Sequence, residues 1–196
     1  MSVFGNLEQT VVEVPETDVK RIEAVEIQKL DVKIKFERSG FIPRNGGEWT
    51  GEPGNSIWKP DPELTPFEKS CNPEKPYSNP NGLSWGELMD KYGIEGITFR
   101  NGEPDFSEVA KGTVEIDDFS SDRDENFSQA DEKLAEQRGC TPEEVEKWRK
   151  ENNYTWHECK DCKTMQKVPN EIHANIIHSG GIAECKAQNT SAEIRS

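Results

Sequence analysis

Leu30, Val32, Ile34 and Phe36 alternate with Asp31, Lys33, Lys35 and Glu37. A period of two over this length predicts a half-buried strand. The stretch before it, 1–28, is polar, acidic and weakly patterned, as an arm or linker would be. Between 39 and 62 (SGFIPRNGGEWTGEPGNSIWKPDP) the density of Gly and Pro excludes a long helix. Phe41, Ile42, Trp49 and Trp58 there predict a structured loop whose aromatics plug the core. The alternative is an aromatic–basic surface with Arg44 and Lys59. The chain stays proline-rich to about 82. Ser84 with Glu87 then forms a capping box that opens a short helix over 84–92.

Ile94 to Phe99 alternates as a strand, and Asn101-Gly102 marks a turn after it. Val114, Ile116 and Phe119 mark another extended stretch. SSDRDENF at 120–127 reads as a charged patch, and Ser128 as the cap of a helix through Ala130–Arg138 that stops at Gly139. Thr141-Pro142-Glu143-Glu144 is a second capping box with proline in the first turn, starting a helix to about Asn152. Its short apolar face is Val145 and Trp148. Tyr154 to His157 is β-prone, 159–163 is a polar turn, and Thr164 to Val168 pairs back. Pro169-Asn170 breaks the hairpin. Asn170 is expected to cap a helix over Glu171–Ile177, with His173 and His178 near its two ends and Ser179-Gly180-Gly181 ending it.

The predicted class is therefore α+β: a hairpin–helix unit at the C-terminal end of a loop-rich, Gly/Pro-rich domain with short strands and helices. The expected layout is an N-terminal arm or linker at 1–38, with one more strand of the domain as the alternative, a domain over 39–183 with its core at 154–181, and a tail at 184–196.

Composition changes this picture in three ways. Only 32% of the 196 residues are hydrophobic, so the core is modest. The net charge of −14 argues against a general nucleic-acid binder, because phosphate contacts need Lys and Arg. That charge is uneven: residues 147–196 carry eight basic and six acidic side chains, so the acidity lies upstream. Five cysteines cannot all pair within the chain, and most or all of them are expected as reduced thiols. No apolar run approaches the roughly 20 residues of a membrane span, and the first residues lack the pattern of a secretory signal. The chain is expected to be cytoplasmic when made, with no membrane partner.

All three histidines fall within Tyr154–Gly181. One strand histidine facing two helix histidines suits a divalent cation, and an imidazole left unliganded could serve as general base for phosphodiester hydrolysis. Glu158 adds a carboxylate at the same place. A different template uses the same stretch: Cys159, Cys162, His173 and His178 resemble a C2H2 zinc set with a central spacing of ten, slightly short of the usual twelve. Arg123 is a candidate phosphate contact, against the reading of a surface ion pair. Lys160, Lys163 and Lys167 read as solvated turn charges.

The stretch YTWHE, KTMQKVP, EIH, HSGG resembles the HNH/endonuclease VII superfamily nuclease domains at the C-termini of bacterial polymorphic and contact-dependent toxins, relatives of colicin-type DNases with a WHH- or WHE-type signature. GEWTGEPGNSIWKPD at 47–61, GITFRNGEPDFSEVAKGTVEI at 96–116 and NFSQADEKLAE extend the likeness over roughly 39–183. The resemblance implies a ββα-metal (His-Me finger) fold, one divalent cation (Mg, Mn, Ni and Zn are not told apart), endonuclease activity with DNA the favoured substrate, and a cognate immunity protein. It also implies export by a dedicated secretion system or a larger toxin, and delivery into a target cell. Many members have a second histidine where this chain has Glu158. The favoured assignment makes His157 the base and His173 and His178 the ligands, with Glu158 assisting; the alternative makes His157 a ligand and Glu158 the base. Two non-enzymatic readings stay open: a zinc-binding module on the cysteine–histidine set, and a nuclease-like domain that has lost activity.

Overall fold

The computed structural model describes residues 41–66 and 78–186, all within one unit, Ser39–Ser196. The strand expected at 30–36 and Cys71 lie outside the described residues. The described chain is a mixed α+β arrangement with two antiparallel sheets. Among the described residues no helix is long and apolar enough to cross a membrane.

The first sheet runs β1 (Gly47–Trp49), β2 (Ile57–Pro60), β3 (Ile97–Arg100) and β4 (Glu103–Asp105), in that order. The stretch expected as a core-plugging loop is thus a hairpin. Trp58 does plug the core, buried against Trp85 with ring centroids 5.7 Å apart, whereas Phe41 is exposed. Lys59 pairs with Glu95 at 3.0 Å. Asn101 adopts the left-handed conformation, and with Gly102 it makes the turn between β3 and β4.

Helix α1 (Trp85–Tyr92) starts on Ser84 with the capping box to Glu87 in place and ends on a left-handed Gly93. Helix α3 (Pro142–Glu151) likewise carries the Thr141–Glu144 box. Helix α2 (Arg123–Arg138) departs from expectation. It begins on Asp122, whose side chain accepts from the Asp124 amide, and takes in most of the charged patch before Ser128. Asp124 and Glu125 in its first turn favour the positive end of the helix dipole. No apolar stripe announces that turn, which explains why the pattern of the chain misplaces the start.

The second sheet orders β5 (Thr113–Glu115), β7 (Thr164–Pro169) and β6 (Tyr154–Glu158). Its middle strand separates two cores. Thr155, His157, Gln166 and Val168 share one face by register, and Trp156, Glu158, Met165 and Lys167 the other. Val168 packs with Ile172, Ile176, Phe106 and the first sheet. Trp156 and Met165 pack with Ala130, Leu134 and Val145 of α2 and α3. Trp156 also donates its indole N–H to Asp131 at 2.8 Å, and Arg149 grips the same carboxylate through Nε and Nη2 at 3.3 and 2.7 Å. All three are buried, so one ion pair ties α2, α3 and β6 together.

Lys167 is not the solvated turn charge expected. It is fully buried, its Nζ has no hydrogen-bond partner among the described residues, and it sits 4.4 Å over the Trp148 ring. Burial, and then Arg138, push its ammonium down to about 8. Folded Lys167 therefore releases its proton at lower pH than the unfolded chain does. The unfolded state binds more protons between about 8 and about 10.4, and this group's contribution to stability rises with pH across that window. Lys167→Met is expected to stabilise the protein at pH 7 by roughly 1–3 kcal/mol, the usual cost of an unpartnered buried polar group. The advantage should shrink by pH 10, as read from urea midpoints of the two proteins at both pH values.

Candidate metal centre

The hairpin that carries the site is shaped by its turn. Asp161 Oδ1 accepts from the amides of Lys163 and Thr164 at 3.1 and 2.8 Å, and Cys162 adopts a left-handed conformation. The strands then pair in register, with His157 opposite Gln166. After Pro169 the chain makes only one helical turn, α4 (Asn170–His173), not the two turns expected to Ile177. Asn175 stops it by turning its amide back onto the Glu171 carbonyl at 2.8 Å, and Ile176 is drawn into the core. His173 is thus the last residue of α4, and His178 follows in an irregular segment.

The three imidazoles converge. One ring nitrogen of each of His157, His173 and His178 lies within 4.8 Å of the other two. His157 Nδ1 is 3.1 Å from His173 Nε2, and His178 Nδ1 is 2.9 Å from the Ile176 carbonyl. Phe106, wholly buried, packs its ring against all three, with centroids 4.9, 5.5 and 5.8 Å away. Burial is the largest cause holding His157 down to about 3, followed by His178 and Lys160. Burial also holds His173 well below the ordinary range, followed by His157, His178 and Arg123. Both rings are therefore neutral at neutral pH, the form in which imidazole ligates a metal.

Glu158 faces away from His157, as the strand period requires. It is buried, and its carboxylate accepts from Asn126 Nδ2 at 2.8 Å and Arg123 Nε at 3.3 Å. Asn126 is itself held by both backbone groups of Ser120. Arg123, the candidate phosphate contact, is mostly exposed and ion-paired to Glu158. A cleft of about 350 Å³ opens over the end of β6, and its walls include Arg123, Glu158 and the three histidines, with Phe41 and Ile177 at its apolar side.

The cysteine–histidine zinc set is not assembled. Cys162 is in a disulfide with Cys185, so its sulfur is no longer a thiolate donor, and His173 and His178 turn towards His157 instead. The same bond shows that not every cysteine is a reduced thiol. Cys140 and Cys159 are the free cysteines among the described residues. The disulfide fastens the helical stretch 181–186 to the hairpin turn, and the loop it closes contains both His173 and His178. Gly181 lets this stretch lie directly on β6: a Cβ there would sit 2.4 Å from the Cys159 carbonyl oxygen.

Phe106, Asn126 and Glu103 belong to the surroundings of the site without having been singled out in the sequence. They lie 31 to 54 residues upstream of His157 and further still from His173 and His178, and no spacing rule links them to the hairpin. Glu103 Oε1 accepts from the Lys160 amide at 2.6 Å, which ties β4 of the first sheet to the hairpin turn.

An α+β scaffold that gathers three imidazoles, those of His157 and His173 held neutral, beneath a cleft defines a candidate metal centre. Residues 96–180 match the family model for the DNase/tRNase domain of colicin-like bacteriocin. The matched segment runs from the turn before β3 to beyond His178 and contains every histidine, so this part of the chain is similar to a nuclease toxin domain. No curated protein matches the chain.

Proposed function

We propose that the chain is a metal-dependent endonuclease of HNH type that hydrolyses phosphodiester bonds of nucleic acid, DNA being favoured. The reading makes β6, β7 and α4 a ββα-metal unit, and the protein an antibacterial toxin restrained by a cognate immunity protein. In this reading a dedicated secretion system or a larger toxin delivers it. The observation that carries the reading is the convergence of His157, His173 and His178 inside the segment similar to colicin-type nucleases.

The donor set fits a divalent cation: three imidazole nitrogens close together, with His157 and His173 held neutral by burial. Bound there, such an ion would stabilise charge on the phosphate and on the leaving oxygen. Of the two divisions of labour open from the sequence, the gathering of all three rings favours His157 as a ligand. Glu158 is then the group that accepts the proton of the attacking water. Asn126 orients the Glu158 carboxylate, Arg123 meets a phosphate oxygen at the mouth of the cleft, and Phe106 keeps the rings together and water out.

Glu158→Gln separates the roles. It keeps the shape and the contact with Arg123 but removes the basic oxygen. Single-turnover cleavage should slow by about 10²–10⁴-fold, the usual worth of general base catalysis, while metal affinity stays unchanged. If metal affinity falls with the rate, Glu158 is a ligand and not the base.

Expression inside a bacterium tests the function as a whole. Wild-type protein should fragment chromosomal DNA, and His178→Ala should leave it intact. Intact chromosomes with cleaved RNA would move the substrate to RNA. Unharmed nucleic acid in cells that accumulate folded protein would overturn the reading.

A further inference from the structure

The two ring nitrogens of His157 have different surroundings. Nδ1 faces His173, while Nε2 is buried without a hydrogen-bond partner among the described residues. An orphaned buried polar atom is uncommon, and a missing ion is one of its ordinary explanations. The free thiol of Cys159 and the carboxylate of Glu103 offer donor atoms within 4.8 Å of each other and of a His157 nitrogen. Two separate pieces of chain supply them: β4, and β6 with the residue that follows it. The Lys160 amide already fixes one oxygen of Glu103 against this turn.

We propose that Glu103, His157 and Cys159 form a second cation site, selective for thiophilic divalent ions of the zinc class, with His157 shared between the two sites through its two nitrogens. Sulfur, imidazole and carboxylate together are the donor types that zinc takes, with a fourth position left for water. A thiolate ligand sets this site apart from the all-nitrogen centre beside it, because soft donors favour zinc, cadmium and cobalt over magnesium and manganese. When the ion binds, the metal–sulfur bond replaces the S–H bond of Cys159 and the proton goes to solvent; with both sites filled, His157 bridges them as an imidazolate, and its ring N–H proton also goes to solvent. The site does not depend on nuclease activity, so its test stands apart from that of the proposed function.

Cobalt(II) is the probe, because thiolate ligation gives it a near-ultraviolet charge-transfer absorption that nitrogen and oxygen ligands do not. The full chain is used unreduced, with Cys71 and Cys140 changed to Ser so that no cysteine outside the proposed site and the disulfide can contribute. Cobalt titration should produce the band, and Cys159→Ser and Cys159→Ala should each abolish it. Glu103→Gln should weaken cobalt binding, read from the same band, by tenfold or more. His178→Ala, which damages only the three-imidazole centre, should keep it. No band at saturating cobalt, or a band that survives loss of Cys159, overturns the proposal. So does a band lost in His178→Ala that keeps a native circular dichroism spectrum, since the sulfur would then belong to the first centre.

Discussion

His173→Ala is expected to abolish divalent-metal binding at the three-imidazole centre and to reduce nucleic-acid cleavage by at least about 10³-fold, on the scale of removing a principal electrostatic catalyst. His173 ends α4, its ring is enclosed by His157, His178 and Phe106, and His157 Nδ1 lies 3.1 Å from it. Removing it leaves two donors, too few to hold an ion against water. The substitution also removes a polar ring from an apolar neighbourhood, so the fold should survive. Manganese titration followed by calorimetry separates the outcomes: lost binding with an unchanged thermal midpoint in the metal-free protein supports a ligand role. Retained binding with lost cleavage would make His173 a base, and the assignment of ligands would have to change.

Asp131→Ala is expected to destabilise the protein by about 3–5 kcal/mol. Nothing else in the described structure accepts from Arg149 or from the Trp156 indole N–H. The truncation leaves a buried guanidinium without its counter-charge and an indole without its acceptor, at the junction of α2, α3 and β6. Domains of this kind carry roughly 5–15 kcal/mol in total, so a large share of the stability would go. Urea unfolding followed by tryptophan fluorescence measures the change. Exchanging the pair together, as Asp131→Leu with Arg149→Met, should recover most of the loss, because the penalty belongs to the unpaired charge and not to the missing attraction. A loss below 1 kcal/mol in Asp131→Ala would mean that water reaches Arg149 and that the junction is not dry.

The parts of this protein legible in its sequence are those governed by local rules. Ser84 with Glu87 and Thr141 with Glu144 announce α1 and α3 because capping is settled within four residues. The β6–β7 hairpin shows through its alternation and its Asp161 turn, and the clustering of three histidines in one window pointed to the site. What was not legible depends on contacts between distant residues. The first turn of α2 rests on the Asp122 cap and on the bond from Asn126 to the distant Glu158, not on an apolar stripe. Helix α4 ends early because Ile176 is taken by a core built from the first sheet. The partner of Cys162 is Cys185, not the nearer Cys159, and only the path of the chain after His178 decides that. Lys167 looks like a surface charge in a polar turn, yet its strand position turns it inward under Trp148. Spacing alone made Cys159, Cys162, His173 and His178 a plausible zinc set; the register of the hairpin gives the histidines to His157 instead.

The most direct test of the three-imidazole centre is metal add-back. Protein stripped with EDTA is mixed with supercoiled plasmid, and nicking is followed before and after a divalent cation is restored, for wild type and for His157→Ala. The account predicts no nicking by the stripped protein, nicking by wild type once magnesium, manganese, nickel or zinc is returned, and none by His157→Ala with any of them. Equal nicking in the presence of EDTA, or full activity in His157→Ala, would contradict it.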